Sequence, residues 1–320
     1  VRQYIAMARL RPIRRKRRRI SLRLAHGAFW LVFVSACLLG IAAVASQFPR
    51  LFAPASEVAD IAPLPIRSSV STDEPQPLHL RSETSEDAAS LPDKPVIAIV
   101  IDDLGGDVAH TGRAIQLPRK IALAFLPYPR DTPRLEHDAA RAGHEVLLHL
   151  PMQAEGPHDP GPMALSVSLP AQENVRRLEW ALSRVPDLVG INNHEGSLFT
   201  ANTAALDPVM ARIAERRVFF FDSRTTPASR AVTVARAHGV ESSDRDVFLD
   251  DVVTVAAIDA QLHVLEAKAH RSGAAIAIGH PNEITLGAVA RWAAYEQGFA
   301  LVTLRTAIRA KTERALQATR

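Results

Sequence analysis

The residues able to do chemistry in this chain collect at the ends of short apolar runs. Val96–Ile101 leads directly into Asp102, Asp103, Leu104, Gly105 and Gly106. Two adjacent carboxylates at the rim of an apolar layer raise each other's pKa unless a cation or hydrogen bonds hold them, so the pair marks a metal or proton-transfer site. The pattern recurs along the chain. Val146–Leu150 carries His149, and Leu188–Asn192 leads into Asn193, His194, Glu195, Gly196 and Ser197. Val218–Phe221 ends in Asp222, Val247–Leu249 in Asp250 and Asp251, and Ala274–Ile278 in Gly279 and His280. Carboxylate with neutral imidazole is the ligand set of Zn²⁺ or a similar divalent ion that keeps one position open for water. Such an ion brings the pKa of its water toward ~7 and polarises a carbonyl while a nearby carboxylate takes the proton. One acid of the Asp102–Asp103 pair then binds the ion and the other serves as base. Asp222 and Asp250 read as braces for neighbouring ligands or backbone amides.

These runs must be brought together by the fold. Unbroken β-branched stretches such as Val96–Ile101 read as strands buried on both faces, typical of parallel sheets. The expected strands are Val96–Ile101, Ile121–Leu126, Val146–Leu150, Leu188–Asn192, Val218–Phe221, Val247–Leu249, Ala274–Ile278 and Ala300–Leu304. Between them lie amphipathic segments with Val175, Leu178, Leu182 and Val185, then Leu206, Val209, Met210 and Ile213, then Ile258, Leu262, Leu265 and Ala269, each set on one helical face. Strand–helix alternation predicts right-handed parallel crossovers, and seven or eight units predict an α/β fold of the (β/α)7–8 barrel type. In such folds the carboxyl ends of the strands converge on one face. No Gly-x-Gly-x-x-Gly follows the first strand, which argues against a dinucleotide site.

The 320 residues carry a net charge of +4. Residues 1–23 hold ten Arg or Lys and no acid, and without those ten the remaining 28 basic residues face 34 acidic ones. The excess of positive charge belongs to the tail, so no nucleic-acid partner is expected. Leu24–Phe48 contains no Asp, Glu, Lys or Arg and as a helix would span roughly 37 Å, enough to cross a hydrocarbon core. With the basic cluster before it, the positive-inside rule predicts a single-pass inner-membrane anchor, N-terminus cytoplasmic and everything after residue 48 across the membrane in the periplasm. Residues 49–94, rich in Pro, Ser, Glu and Asp, read as a flexible stalk. The only cysteine, Cys37, excludes an intrachain disulfide. The expected organisation is therefore a basic tail (1–23), an anchor (24–48), a stalk (49–94), a barrel domain (95–306) and a C-terminal helical tail (307–320).

The ordered series IAIVIDDLG, HLPMQ, INNHEGS, FFFDS, RDVFLDD and AIAIGHP, spread over about residues 93–306, resembles the divergent polysaccharide deacetylase family. That family is a branch of the NodB-type carbohydrate esterases of bacterial envelopes, built on a distorted (β/α) barrel. The resemblance implies a divalent metal, most simply Zn²⁺, and removal of acetyl groups from an N-acetylated envelope glycan. It implies Asp102 as base, Asp103 as metal ligand, and His280 as the acid that protonates the leaving amine. NodB-type enzymes supply a His-x-x-x-His pair from one segment. Here His194 is followed four residues on by Leu198, so His149 or His280 must complete the ligand set. Asn193, Glu195 and Ser197 are expected to contact ligands or substrate. The alternative is a non-catalytic envelope protein that keeps the barrel to bind glycan or a partner.

Overall fold

The computed structural model describes residues 91–295 and 298–318. In chain order the elements are β1 (Val96–Leu104), α1 (Val108–Ala114), β2 (Ala122–Phe125), α2 (Thr132–Ala142), β3 (Val146–Met152), α3 (Ala171–Arg184), β4 (Gly190–Glu195), α4 (Thr203–Glu215), β5 (Phe219–Asp222) and α5 (Ala231–Ala237). They continue with β6 (Ser242–Asp244), β7 (Val247–Phe248), α6 (Val255–Ser272), β8 (Ala274–Gly279), α7 (Glu283–Ala293), β9 (Ala300–Leu301) and α8 (Leu304–Ala318). Helix starts follow from local chemistry. Asn202 and Asn282 cap α4 and α7 by accepting from the backbone N–H of Ala205 and Thr285. Gly143 and Gly273 end α2 and α6 in the left-handed conformation.

All strand pairings are parallel, in the order β6-β5-β4-β3-β2-β1-β8-β7, with β9 pairing the first residues of β1. The period-2 alternation of each strand divides the interior into two layers. Ile97, Ile99, Ile101, Leu148, Leu150 and Ile191 point into the layer packed by the surrounding helices. Val96, Ala98, Val100, Leu147, Phe221 and Ile278 point to the other face, where Leu304, Ala307, Ile308 and Ala310 of α8 cover them. Alanines at 98, 122, 124 and 274 keep that inner face shallow enough to admit a helix.

Two expectations are corrected. The expected (β/α)7–8 barrel does not close. β6 and β7, at opposite ends of the strand order, are not hydrogen-bonded to each other, and the sheet is a curled half-barrel. The reason lies in the chain. Ser242–Asp244 is short, polar and invisible to a search for apolar runs, and the two residues separating it from β7 carry the chain from one edge to the other. The second correction concerns the membrane. Among the described residues no helix is long and apolar enough to cross one, and Leu24–Phe48 and residues 49–90 lie outside them. The architecture the structure supports is the α/β half-barrel. The transmembrane anchor, the membrane as partner and the single-pass inner-membrane, periplasmic placement are not carried forward.

Candidate metal centre

The inner-face parity that places Val100, Leu147, Phe221 and Ile278 over α8 places Asp102, His149, Asn192, His194, Ser223 and His280 at the carboxyl ends of the same strands. Most of them line one cleft of about 640 Å³. Asp103 has the opposite parity and should point away. It does not, because the β1–β2 register shifts between Ile101 and Leu104 and Asp103 adopts a left-handed backbone, φ 58°. A bulge of this kind re-aims a side chain, and Asp is among the few residues that tolerate the conformation. Gly105, φ 104°, completes the turn, and a Cβ there would stand 2.3 Å from Thr132 Oγ1. Glu195 (φ 52°) and Arg224 (φ 51°) are left-handed at the ends of β4 and β5, so backbone strain gathers around the cleft.

Three donor atoms meet at its floor. Asp103 Oδ1 lies 3.2 Å from His149 Nε2 and 3.0 Å from His194 Nδ1, and the two nitrogens are 3.2 Å apart. Asp103 Oδ1 is nevertheless buried without a hydrogen bond. A metal with donors at about 2.0–2.2 Å and tetrahedral to octahedral angles holds them roughly 3.0–3.4 Å apart, which this triangle matches. The Asp103, His149 and His194 cluster is thus a candidate site for a divalent ion. Its electrostatics agree. Burial would raise the Asp103 carboxyl, but the two imidazoles hold it well below the usual carboxylate range. Burial would lower His149, but Asp102 and Asp103 raise it. The site therefore favours positive charge.

The surrounding bonds orient these groups. Asn192, paired in register with His149, donates from Nδ2 to Asp102 Oδ1 (2.8 Å) and Ser223 Oγ (3.1 Å). Its Oδ1 consequently faces His149 Nδ1 at 3.0 Å and accepts from it, leaving Nε2 with its lone pair toward the triangle. Asp102 is buried, and that burial raises its carboxyl while His149 and His280 pull it down. His280 stands across the cleft, Nε2 3.9 Å from Asp103 Oδ2. Its Nδ1 donates to Asp250 Oδ1 (2.9 Å) and its backbone N–H to Asp250 Oδ2 (2.7 Å). Thr285 Oγ1 and Asn282 Nδ2 donate to the same carboxylate. Burial lowers His280, but the Asp250 bond and the charges of Asp102, Asp250 and Asp103 raise it to about 9.

The other expected residues brace loops. Asn193 Oδ1 accepts from Ser223 N and its Nδ2 donates to Glu195 O. Asp222 accepts from Arg224 N and Ser229 Oγ. Ser197 Oγ accepts from Glu155 N, and Glu195 lines the cleft. Residue 198, leucine here, does not join the triangle; His149 from β3 supplies the second imidazole.

A sequence model of the divergent polysaccharide deacetylase family matches residues 99–308. The chain belongs to that family. It is 34% identical over 190 residues to an uncharacterized protein of Haemophilus influenzae, covering 59% of this chain and 68% of that one. It is 36% identical over 193 residues to the uncharacterized protein YibQ of Escherichia coli K12, covering 59% of this chain and 60% of that one, less than two thirds of its length. The crystal structure of the uncharacterized protein ATU2773 of Agrobacterium tumefaciens C58 superposes with a TM-score of 0.65 at 32% identity, over 68% of this chain and 90% of that one. Sequence reasoning assigned no role to Asn192, Arg245 or Phe248. Asn192 was available from its spacing, two residues before His194 and hence on the same strand face. The other two lie in the RDVFLDD run, but their place in the cleft depends on where the sheet fails to close, which the run itself does not announce.

Proposed function

We propose that the protein is a metal-dependent deacetylase of N-acetylated glycans, with Asp103, His149 and His194 as ligands and zinc as the ion. The observation that carries the proposal is the triangle of Asp103 Oδ1, His149 Nε2 and His194 Nδ1, with a buried oxygen that no proton satisfies. Two imidazoles and one carboxylate leave a coordination position open, as catalytic zinc sites do. When bound, the ion supplies Lewis-acid polarisation of the acetamide carbonyl and a water acidic near neutrality. Asp102, raised by burial, takes the proton of the attacking water. His280, whose proton is held by Asp250 to about pH 9, gives its proton to the departing amine nitrogen. Acetic acid and the amine leave, the acid's proton passing to the amine to give acetate and ammonium, and the proton on Asp102 passes back to His280 through solvent to reset the pair. Asp250 positions His280; Asn193, Asp222 and Ser197 hold the loops that bear the site; Glu195 meets substrate at the cleft wall.

The test is metal analysis of the purified chain followed by acetate release from N-acetylated oligosaccharides. About one divalent ion per chain, acetate release, and loss of release in Asp102→Asn with the ion retained are expected. A metal-loaded protein that releases no acetate overturns the catalytic reading and leaves a glycan-binding one.

A further inference from the structure

The cleft runs from the metal corner to the opening between β6 and β7, where Arg224, Arg245 and Lys268 line it. Arg245 is the first of the two residues joining those edge strands. Its Nε donates to Ser223 O (2.8 Å) and its Nη2 to Arg224 O (3.1 Å). The guanidinium carbon lies 4.9 Å from the centre of the Phe248 ring, a cation–π contact. Among the described residues no carboxylate pairs with Arg245, whereas neighbouring Arg224 is paired with Asp244 at 2.7 Å. Lys268, on α6 at the same end of the cleft, donates to the backbone carbonyl of Asp246 (2.7 Å). It too has no carboxylate partner among the described residues. The Asp246 carboxylate beside it is occupied by Lys311 Nζ (2.8 Å) and Ile276 N (2.8 Å). The acids facing this end are Glu195 and exposed Asp251, which line it, and Asp102, Asp222 and Asp244, whose charges reach Arg245 without pairing with it.

A guanidinium taken partly out of water without a direct ion pair is costly, and burial with the Arg224 charge outweighs the more distant carboxylates of Asp102, Asp222 and Asp244 at Arg245. Here it is held rigid by two carbonyls and a ring, with donor capacity left for a ligand. The Phe248 ring that carries it is 5.1 Å from the His280 ring. The two separations place the guanidinium within about 10 Å of His280, the reach of a neighbouring sugar unit. We infer that the open end of the cleft is a subsite for an anionic group borne by the glycan, a carboxylate held by Arg245 and Lys268. The inference rests on the glycan reading of the same cleft, and a carboxylate could come from a uronic acid or from a lactyl ether on the sugar.

Isothermal titration of the metal-loaded full chain with three tetrasaccharides tests it: neutral chitotetraose, an N-acetylglucosamine–glucuronate alternate, and an N-acetylglucosamine–N-acetylmuramate alternate. At least one anionic probe binds about tenfold more tightly than the neutral one, a gain that falls with added salt; the probe that gains identifies the source of the carboxylate. Arg245→Gln reduces that binding to the neutral level with the metal still bound, and Lys268→Met reduces it partly. A gain below about twofold for both anionic probes, or one that survives Arg245→Gln, overturns the subsite. Since binding and acetate release are measured separately, an anionic preference with no acetate release would sink hydrolysis and leave the subsite standing. Absence of binding by all three probes would sink both.

Discussion

The metal corner and the open seam are held together by different means. His149, Asn192 and His194 lie on β3 and β4, where the backbone ladder runs unbroken from Leu147↔Gly190 to Met152↔Glu195. Ligand positions there are set by main-chain hydrogen bonds with neighbours on both sides, and buried Asn192 fixes the ring orientation. The seam has no such ladder. β6 and β7 are three and two residues long, and their connection is held by single backbone bonds from Arg245 N to Asp222 O and Asp246 N to Ile276 O, reinforced by side chains: Asp246 Oδ2 accepts from Ile276 N, and Lys311 Nζ donates to Asp244 O and Asp246 Oδ2. A metal site tolerates errors of only a few tenths of an ångström, so its two imidazoles belong on the ladder, while Asp103 reaches them from the bulge of β1. A cleft wall that recognises substrate gains from the room an open edge provides.

The largest effect should follow from breaking the metal corner. Asp103→Ala or His149→Ala removes one of three protein ligands, and loss of the bound ion with a fall of about a thousandfold or more in acetate release is expected. Asn192→Ala leaves the ligands but frees the imidazole, and metal affinity should fall about 10- to 100-fold; unchanged affinity would mean that the Asp102–Asn192–His149 chain does not orient the ring. Next comes His280, which faces the corner without joining it. His280→Ala should cost about 10²- to 10⁴-fold in turnover with the ion retained. The acid must be protonated, so activity should hold through neutrality and decline as pH rises through about 9. Asp250→Asn removes the negative charge that helps raise His280, and the alkaline decline should move to lower pH. A pH profile identical in wild type and Asp250→Asn would separate His280 from the proton transfer.

A buried acid outside both regions sharpens the contrast, because it has none of their partners. Glu136 on α2 is fully buried and neither oxygen makes a hydrogen bond among the described residues. Burial, with the nearby Asp187 carboxylate, which itself pairs with His137 at 2.7 Å, pushes it up to about 8 from an ordinary 4.5. The folded state therefore keeps this proton to about pH 8 while the unfolded chain loses it near 4.5. Between those values the folded state binds more protons, and stability falls as pH rises. Denaturant unfolding at pH 5 and pH 7 should differ by about 2–3 kcal/mol from this group alone, and Glu136→Gln should flatten the difference. The same slope in both proteins would show that Glu136 finds a partner in solution.

Period-2 alternation carried most of the site. Asp102, His149, His194 and His280 share a parity with the apolar residues below them, so their convergence follows once the sheet is parallel. Asp103 breaks the parity. Its position depends on a register shift and a left-handed residue that nothing in the run of apolar side chains signals. His144 is buried with its ring nitrogens at Ile121 O and Ile115 O, a tertiary contact beyond the reach of local pattern. The failure of the barrel to close has the same origin. Ser242–Asp244 is a strand because β5 lies beside it, not because its side chains favour one. α8 is likewise understood only in place: its apolar residues Leu304, Ala307 and Ile308 fill the concavity that a closed barrel would fill with strand side chains.

The smallest effect expected is at the seam itself. Lys311 reaches from α8 to β6 and to the connection that follows it, donating to Asp244 O at 2.9 Å and Asp246 Oδ2 at 2.8 Å, and is about four-fifths buried (19% exposed). Lys311→Met keeps the stem and its packing but removes those bonds. Asp246 retains the Ile276 N–H as a donor, so the cost should be about 1–2 kcal/mol of unfolding free energy rather than the larger penalty of an orphaned buried charge. Metal affinity should not change, because the β3–β4 ladder is untouched. Arg245, one residue from each tethered aspartate, should lose part of its fixed geometry, and binding of the anionic tetrasaccharide should weaken more than that of the neutral one. If Lys311→Met instead releases the metal, the two regions are mechanically one, and the division between a site set by the ladder and a wall set by side chains fails.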